Sequence, residues 1–279
     1  MKAVLKLLRV HHYIKNLLIF VPLFFSRRFF DGTLFLECLY GFVSFSLVSS
    51  VVYIINDIRD VEKDRKHEKK KNRPIASGKI SIRKAVIIAC ICLLTIVTLA
   101  LCRHQWTGLL ILMIYLGMNL LYSFGLKSVP IVDIVILASG FVLRIIYGGI
   151  ITGIEISNWL FLVVVVGSLF MGLGKRRNEL TRQTDTRDVL KYYTESFLDK
   201  NMYVCVALVD VFYAMWSLES IDSRSIWTIP IMIIIMMKYS LDIEGESDGD
   251  PIEVILHDKV LILLVCLYVI CIFALLYIV

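Results

Sequence analysis

The chain has 279 residues, 58% of them hydrophobic, with 30 Lys and Arg against 24 Asp and Glu and a mean hydropathy of +0.77. Soluble domains run nearer ~45–50% apolar, and here the apolar stretches recur to Val279 with no polar linker or low-complexity tract between them. This excludes a pair of soluble domains and points to an all-α, polytopic membrane protein with one transmembrane domain over residues 1–279.

The N-terminal stretch "MKAVLKLLRVHHYIKNLL" is interrupted by Lys6, Arg9 and Lys15 and is followed by no small-residue cleavage site, so it does not read as a removable signal peptide. A membrane helix needs ~20 mostly apolar residues. By that measure about nine transmembrane helices are expected, at 15–30, 34–55, 84–102, 106–125, 130–150, 158–174, 202–218, 226–241 and 259–279. The first is the shortest and holds Pro22. With a cytoplasmic N-terminus, 25 of the 30 Lys and Arg fall in cytoplasmic segments. Only Arg27, Arg28, Arg103 and Arg224 fall outside, and Arg144 lies within a span. A skew of that size across alternating loops supports nine spans, N-terminus in and C-terminus out. The long loops 56–83 and 175–201 then share the cytoplasmic side, where polar chemistry is expected. The seven cysteines all lie in or beside apolar segments, form no CxxC pair, and read as free thiols.

The second span ends in "NDIRDVEKD". Helical spacing puts Asp57, Asp60 and Asp64 (i, i+3, i+7) on one face, with Asn56 flanking them. Stacked carboxylates repel unless a cation lies between them, and hard oxygen ligands suit Mg²⁺, which also bridges to substrate phosphates. The alternative is a solvated loop start in which they pair with Arg59, Lys63 or Lys66; the spacing and the position at a membrane-helix end favour the metal. Most of the basic run Arg65–Lys71 reads as topology signal and anionic-lipid contact. Arg73, before Pro74 and the turn Ala76-Ser77-Gly78, reads instead as a fixed phosphate-binding residue.

The sixth span ends in "FMGLGKRRNELTRQTDTRDVLKYY". Its Lys175 and Arg176 are candidates for phosphate oxygens, with membrane anchoring as the alternative. Glu179, Asp185 and Asp188 either add to a metal site or pair with Arg182 and Arg187. Within the fifth span, Asp133 and Arg144 share a helix face but stand ~16 Å apart along the axis. Intramembrane ionisable groups are functional candidates by default, so Arg144 calls for an anionic substrate or a carboxylate on another span. Tyr122 and Lys127 close the fourth span at the cytoplasmic side and Lys15 opens the first, where snorkelling is the competing role for each lysine. The acidic stretch 242–251 reads as solvated rather than as a cover for the site.

Taken together these residues resemble the UbiA superfamily of intramembrane prenyltransferases, over nearly the whole chain: nine spans, "NDIRDVEKD" followed by Arg73-Pro74 and Ser77-Gly78, and "YSFGLK" at the end of the fourth span. Within it, "YIKNLLIF", "NDIRDVEKDRKHEKKKNRPIASG", "GSLFMGLGKRRNEL" and "PIEVILHDKVL" are most similar to the decaprenyl-phosphate 5-phosphoribosyltransferase branch. Where the wider superfamily carries a second aspartate-rich motif, this chain has "GKRRNEL". The resemblance implies Mg²⁺ on Asp57, Asp60 and Asp64, with Asn56 assisting. It implies 5-phosphoribosyl 1-diphosphate and a polyprenyl phosphate as substrates, with diphosphate released, in cell-envelope precursor synthesis. It also implies a bacterial cytoplasmic membrane, with the active site facing the cytoplasm and the lipid tail in a groove open to membrane lipid. No nucleic-acid partner is expected. Two rivals stand: prenyl transfer from a prenyl diphosphate to an aromatic or other acceptor, and a transporter whose path is lined by Asp133 and Arg144.

Overall fold

A computed structural model describes residues 2–68, 70–182, 187–219, 223–245, 254 and 257–278. Among these residues all regular structure is helical: α1 (Lys2–Leu8), a 3₁₀ segment (Val10–Phe20), α2 (Val21–Phe25), α3 (Gly32–Arg59), α4 (Val61–Lys66), α5 (Ile82–Cys102), α6 (Trp106–Phe124), α7 (Val132–Thr152), α8 (Asn158–Arg182), α9 (Glu195–Glu219), α10 (Ile229–Glu244) and α11 (Lys259–Tyr277). Eight of these, α3 and α5 to α11, are long and apolar enough to cross a membrane, α10 together with the 3₁₀ turn before it.

The expected first span differs most. Instead of a helix over 15–30 there is the shorter apolar segment Val10–Phe25, most of it wound as 3₁₀. The tighter winding changes the length requirement. At ~2.0 Å per residue a 3₁₀ run of this size advances about 22 Å, and α2 adds about 8 Å. The total, about 30 Å, matches the hydrocarbon thickness that ~20 α-helical residues cover. Hydropathy located the apolar residues but could not show how they are wound.

The chain divides into two compact units. The first, Met1–Phe124 with Leu143–Glu155, is built around α3. Phe45, Val48, Val51 and Ile54 of α3 form one core with Ala85, Ala89 and Cys92 of α5, Leu112, Tyr115 and Leu116 of α6, and Tyr147 and Ile151 of α7. Apolar contact alone drives little helix association in lipid, so close approach and polar contacts carry more of the packing. Gly148 rests against the Ile19 carbonyl, and a Cβ there would collide with backbone; at Gly41 it would meet the Ile151 side chain. Asn16 Nδ2 donates to Ser46 Oγ at 2.8 Å, and Tyr13 hydrogen-bonds Ser50 at 2.8 Å. Asp31 caps α3, accepting from Thr33 N at 3.1 Å and Leu34 N at 3.2 Å. The Leu34 amide, with help from Arg28, holds its carboxyl below the usual range.

The second unit is Gly125–Val142 with Ile156–Val279. Its core joins Val166, Phe170 and Leu173 of α8 to Leu198, Met202, Cys205 and Val209 of α9 and to Ile235, Tyr239 and Ile243 of α10. Gly172 and Gly174 admit Ile134 and Ile243 against α8. The expected loop 175–201 is mostly helix. Helix α8 continues to Arg182, a 3₁₀ turn follows at Asp188–Tyr192, and α9 starts at Glu195. Lys, Arg, Glu and Leu are good helix formers, so α8 outlasts the apolar run by two turns.

Candidate active site

The aspartate motif of the first unit is set by the end of α3. Asp57 is buried on its last turn. Asp60 breaks the helix (φ −90°, ψ 7°) and starts α4, which carries Asp64, also buried. The i→i+4 backbone bonds persist through the break, from Asp60 N to Asn56 O at 2.9 Å and from Asp64 N to Asp60 O at 2.8 Å. Asn56 accepts a hydrogen bond from Ser123 of α6, which ties the motif to its neighbour.

Arg73 reaches the pair. Its Nη1 lies 2.7 Å from Asp64 Oδ2 and 3.2 Å from Asp57 Oδ1. The loop behind it is fixed: Ser77 Oγ donates to Arg73 O at 2.8 Å, Ile80 N to Pro74 O at 3.0 Å, and Gly78 turns the chain at φ +75°. Ile75 and Ile80 anchor that loop in the core. A second guanidinium, from Arg9, stands 2.5 Å from Asp57 Oδ1 and 4.6 Å above the Tyr53 ring. Nothing in the periodicity or motifs marked Arg9, which counted only among the topology-setting charges.

The expected metal ligands are therefore brought together in part. Asp57 and Asp64 converge on one cationic nitrogen, whereas Asp60 is half-buried and forms no ion pair among the described residues. Among the described residues no group of three or more His, Cys, Asp or Glu converges on a point. Mg²⁺ commonly takes one or two carboxylates and completes its shell with water and substrate phosphate. Two buried carboxylates sharing one positive centre fit that demand.

Arg144 is buried inside the first unit. Nε donates to Asn16 Oδ1 at 2.7 Å and Nη2 to Tyr115 OH at 3.4 Å, with the guanidinium 4.7 Å over the Phe45 ring. An amide, a phenol and an aromatic face are among its contacts. Lys15, on the 3₁₀ segment, and Tyr122, on α6, are both half-buried.

In the second unit Arg176 is fully buried (0% exposed), ion-paired to the equally buried Asp133 and to Glu179. Glu179 also faces Arg187 at 3.6 Å. Tyr193 OH donates to Asp133 Oδ1 at 2.6 Å and accepts from Ile131 N at 2.7 Å. Burial and that carboxylate push the Tyr193 hydroxyl up. Ile131 sits at φ +66°, a costly conformation for a β-branched residue. Arg176, expected at a substrate phosphate, is thus engaged by two carboxylates, and Glu179 by two arginines. Lys175 and Lys127 are half-buried, and Asp188 is exposed. Asp185 lies outside the described residues, as do 246–251 of the acidic stretch. Within its described part, Asp242 pairs with Lys238.

Comparison with known proteins gives a consistent picture. The UbiA prenyltransferase family model matches residues 17–243. A decaprenyl-phosphate phosphoribosyltransferase of Mycobacterium tuberculosis is 34% identical over 274 residues, covering 94% of this chain and 90% of the relative. One from Corynebacterium glutamicum is 33% identical over 289 residues, covering 99% and 87%. Among solved structures, a UbiA homolog from Archaeoglobus fulgidus bound to GPP and Mg²⁺ superposes with a TM-score of 0.73 at 19% identity, covering 98% of this chain and 99% of that one.

Proposed function

The chain belongs to the UbiA prenyltransferase family, and from that premise we propose that it transfers the 5-phosphoribosyl group of 5-phosphoribosyl 1-diphosphate to a polyprenyl phosphate of the decaprenyl type, releasing diphosphate. The observation that carries the choice of pentosyl over prenyl transfer is the near-full-length identity to phosphoribosyltransferases. The solved neighbours, at 19% identity, share the fold. The Lys and Arg distribution supports an enzyme of the cytoplasmic membrane working from the cytoplasmic face.

In this reading Asp57 and Asp64 hold Mg²⁺, with Asp60 and Asn56 beside them. Bound there, Mg²⁺ supplies positive charge to the oxygens of the leaving diphosphate. The C1–O bond to diphosphate breaks, its electron pair leaving with diphosphate, and a lipid phosphate oxygen forms the new bond to C1. That phosphate is already an anion, so no general base is required. The residues of the chain therefore work by fixing position and stabilising charge. Arg73, pinned by its loop and touching both carboxylates, is assigned to phosphate oxygens of the donor. For the second unit, Lys175 is assigned to phosphate, whereas Arg176 and Glu179 act by holding the end of α8 in place.

Diphosphate release from the purified protein tests the donor and the metal together. Release is expected from 5-phosphoribosyl 1-diphosphate only with polyprenyl phosphate and Mg²⁺ present, and EDTA should stop it. Release that persists in EDTA, or that requires a prenyl diphosphate and an aromatic acceptor instead, would overturn the proposal.

A further inference from the structure

We propose that Arg9 is a donor-binding residue: its guanidinium neutralises Asp57 before the donor arrives and moves to the donor's diphosphate oxygens when Asp57 turns to a metal ion. The inference rests on the metal reading of Asp57 and Asp64 given above.

Charge balance points first to this role. Asp57 and Asp64 bring two negative charges, and Arg73 and Arg9 bring two positive ones, with both guanidiniums in contact with Asp57. The four groups are neutral as they stand. A divalent ion held by the same carboxylates leaves them two charges positive, which suits a diphosphate and nothing neutral. Arginine keeps its charge under all ordinary conditions, and its fork matches phosphate oxygens as well as carboxylate. The guanidinium can therefore pass from one to the other without a proton changing hands.

Placement points the same way. Arg9 lies between α1 and the 3₁₀ segment with φ +54°, a left-handed conformation that is uncommon outside glycine, asparagine and aspartate. The junction is held in that shape by one face of α3. Ser50 Oγ donates to Leu8 O at 2.9 Å, Tyr13 hydrogen-bonds Ser50, and Asn16 hydrogen-bonds Ser46. Tyr53 and Asp57 continue the same face one and two turns on, and both touch the Arg9 guanidinium. A tether for the N-terminal segment needs only the serine bonds. The strained turn additionally delivers a guanidinium to Asp57, and its side chain remains 19% exposed, so it has room to move.

A residue that both competes with the metal and receives the diphosphate has effects of opposite sign when removed, whereas a purely structural residue does not. The experiment uses the full-length protein in nanodiscs, Mn²⁺ as a probe readable by electron paramagnetic resonance, and inorganic diphosphate. Arg9→Gln is expected to bind Mn²⁺ about tenfold more tightly in the absence of diphosphate. With Mn²⁺ saturating, it should bind diphosphate about tenfold more weakly, the worth of one charge-assisted hydrogen bond. Arg9→Lys, which keeps the charge but not the fork, should bind Mn²⁺ like the parent and diphosphate with intermediate affinity. Loss of both affinities together, no change in either, or a change in the metal alone overturns the proposal. Should Arg9→Gln fail to fold, Arg9→Lys decides, and parent-like diphosphate affinity in it overturns the proposal. Inorganic diphosphate is common to pentosyl and prenyl donors. Failure of 5-phosphoribosyl 1-diphosphate to bind while diphosphate behaves as expected would therefore count against the proposed function and leave Arg9 standing.

Discussion

Replacing Asp57 by asparagine is expected to lower turnover by about a thousandfold or more, equivalent to about 4 kcal/mol of lost transition-state stabilisation. The carboxylate is buried at the end of α3 and is touched by both Arg9 and Arg73. An amide of the same shape keeps the packing but loses the charge. It binds a hard divalent cation poorly and leaves two guanidiniums facing a neutral group. The effect should therefore fall on turnover at saturating donor, because the leaving group is no longer neutralised as its bond breaks. Initial rates of diphosphate release over a range of Mg²⁺ concentrations would measure it. Turnover in Asp57→Asn within tenfold of the parent, at the same Mg²⁺ concentration, would remove the residue from the chemistry.

A loss of similar size, but in folding rather than chemistry, is expected from Asp133→Ala. Asp133 and Arg176 are both fully buried, and Arg176 is held on its other side by Glu179. Breaking a buried pair by removing one partner typically costs about 3–5 kcal/mol, because the remaining charge stays in a low-dielectric surrounding. Tyr193 also loses its acceptor, and with it part of the support for the strained Ile131 turn. The midpoint of thermal unfolding in detergent should fall sharply in Asp133→Ala. It should largely recover in Asp133→Leu combined with Arg176→Met and Glu179→Gln, which removes every buried charge of the cluster and leaves only the part-exposed Arg187 without Glu179. If the triple variant is no more stable than the single one, the cluster does not act as a charge-balanced unit.

Composition and hydropathy suffice to read an all-helical, many-span architecture, because lipid leaves the backbone few alternatives to a helix. The run at 84–102 is α5 at Ile82–Cys102 almost residue for residue. The segment Val10–Phe25 starts five residues before the expected 15–30, because hydropathy counts His11 and His12 against a span although the helical winding takes them in and ends before Ser26. At the site, the i, i+3, i+7 rule singled out Asp57, Asp60 and Asp64 but treated them as one continuous helix. The break at Asp60 gathers only the outer two on Arg73. The intramembrane charges Asp133 and Arg144 stood out by their cost in lipid, yet their partners could not be read. Arg176 is 43 residues from Asp133 and Asn16 is 128 from Arg144, and no local pattern links residues so far apart. Arg9 was legible only as a topology-setting charge, since its contact with Asp57 comes from a left-handed turn made by contacts with α3.

The chemical identity of the product separates pentosyl from prenyl transfer, and a single incubation reads it. Purified protein with Mg²⁺, 5-phosphoribosyl 1-diphosphate and a long-chain polyprenyl phosphate should yield a lipid heavier by one phosphoribosyl group, detected by mass spectrometry of the organic extract. That lipid should disappear when Mg²⁺ is omitted. An unchanged lipid phosphate, together with a prenylated aromatic acceptor formed from a prenyl diphosphate in a parallel incubation, would refute phosphoribosyl transfer and make the protein a prenyltransferase in the literal sense of its family name.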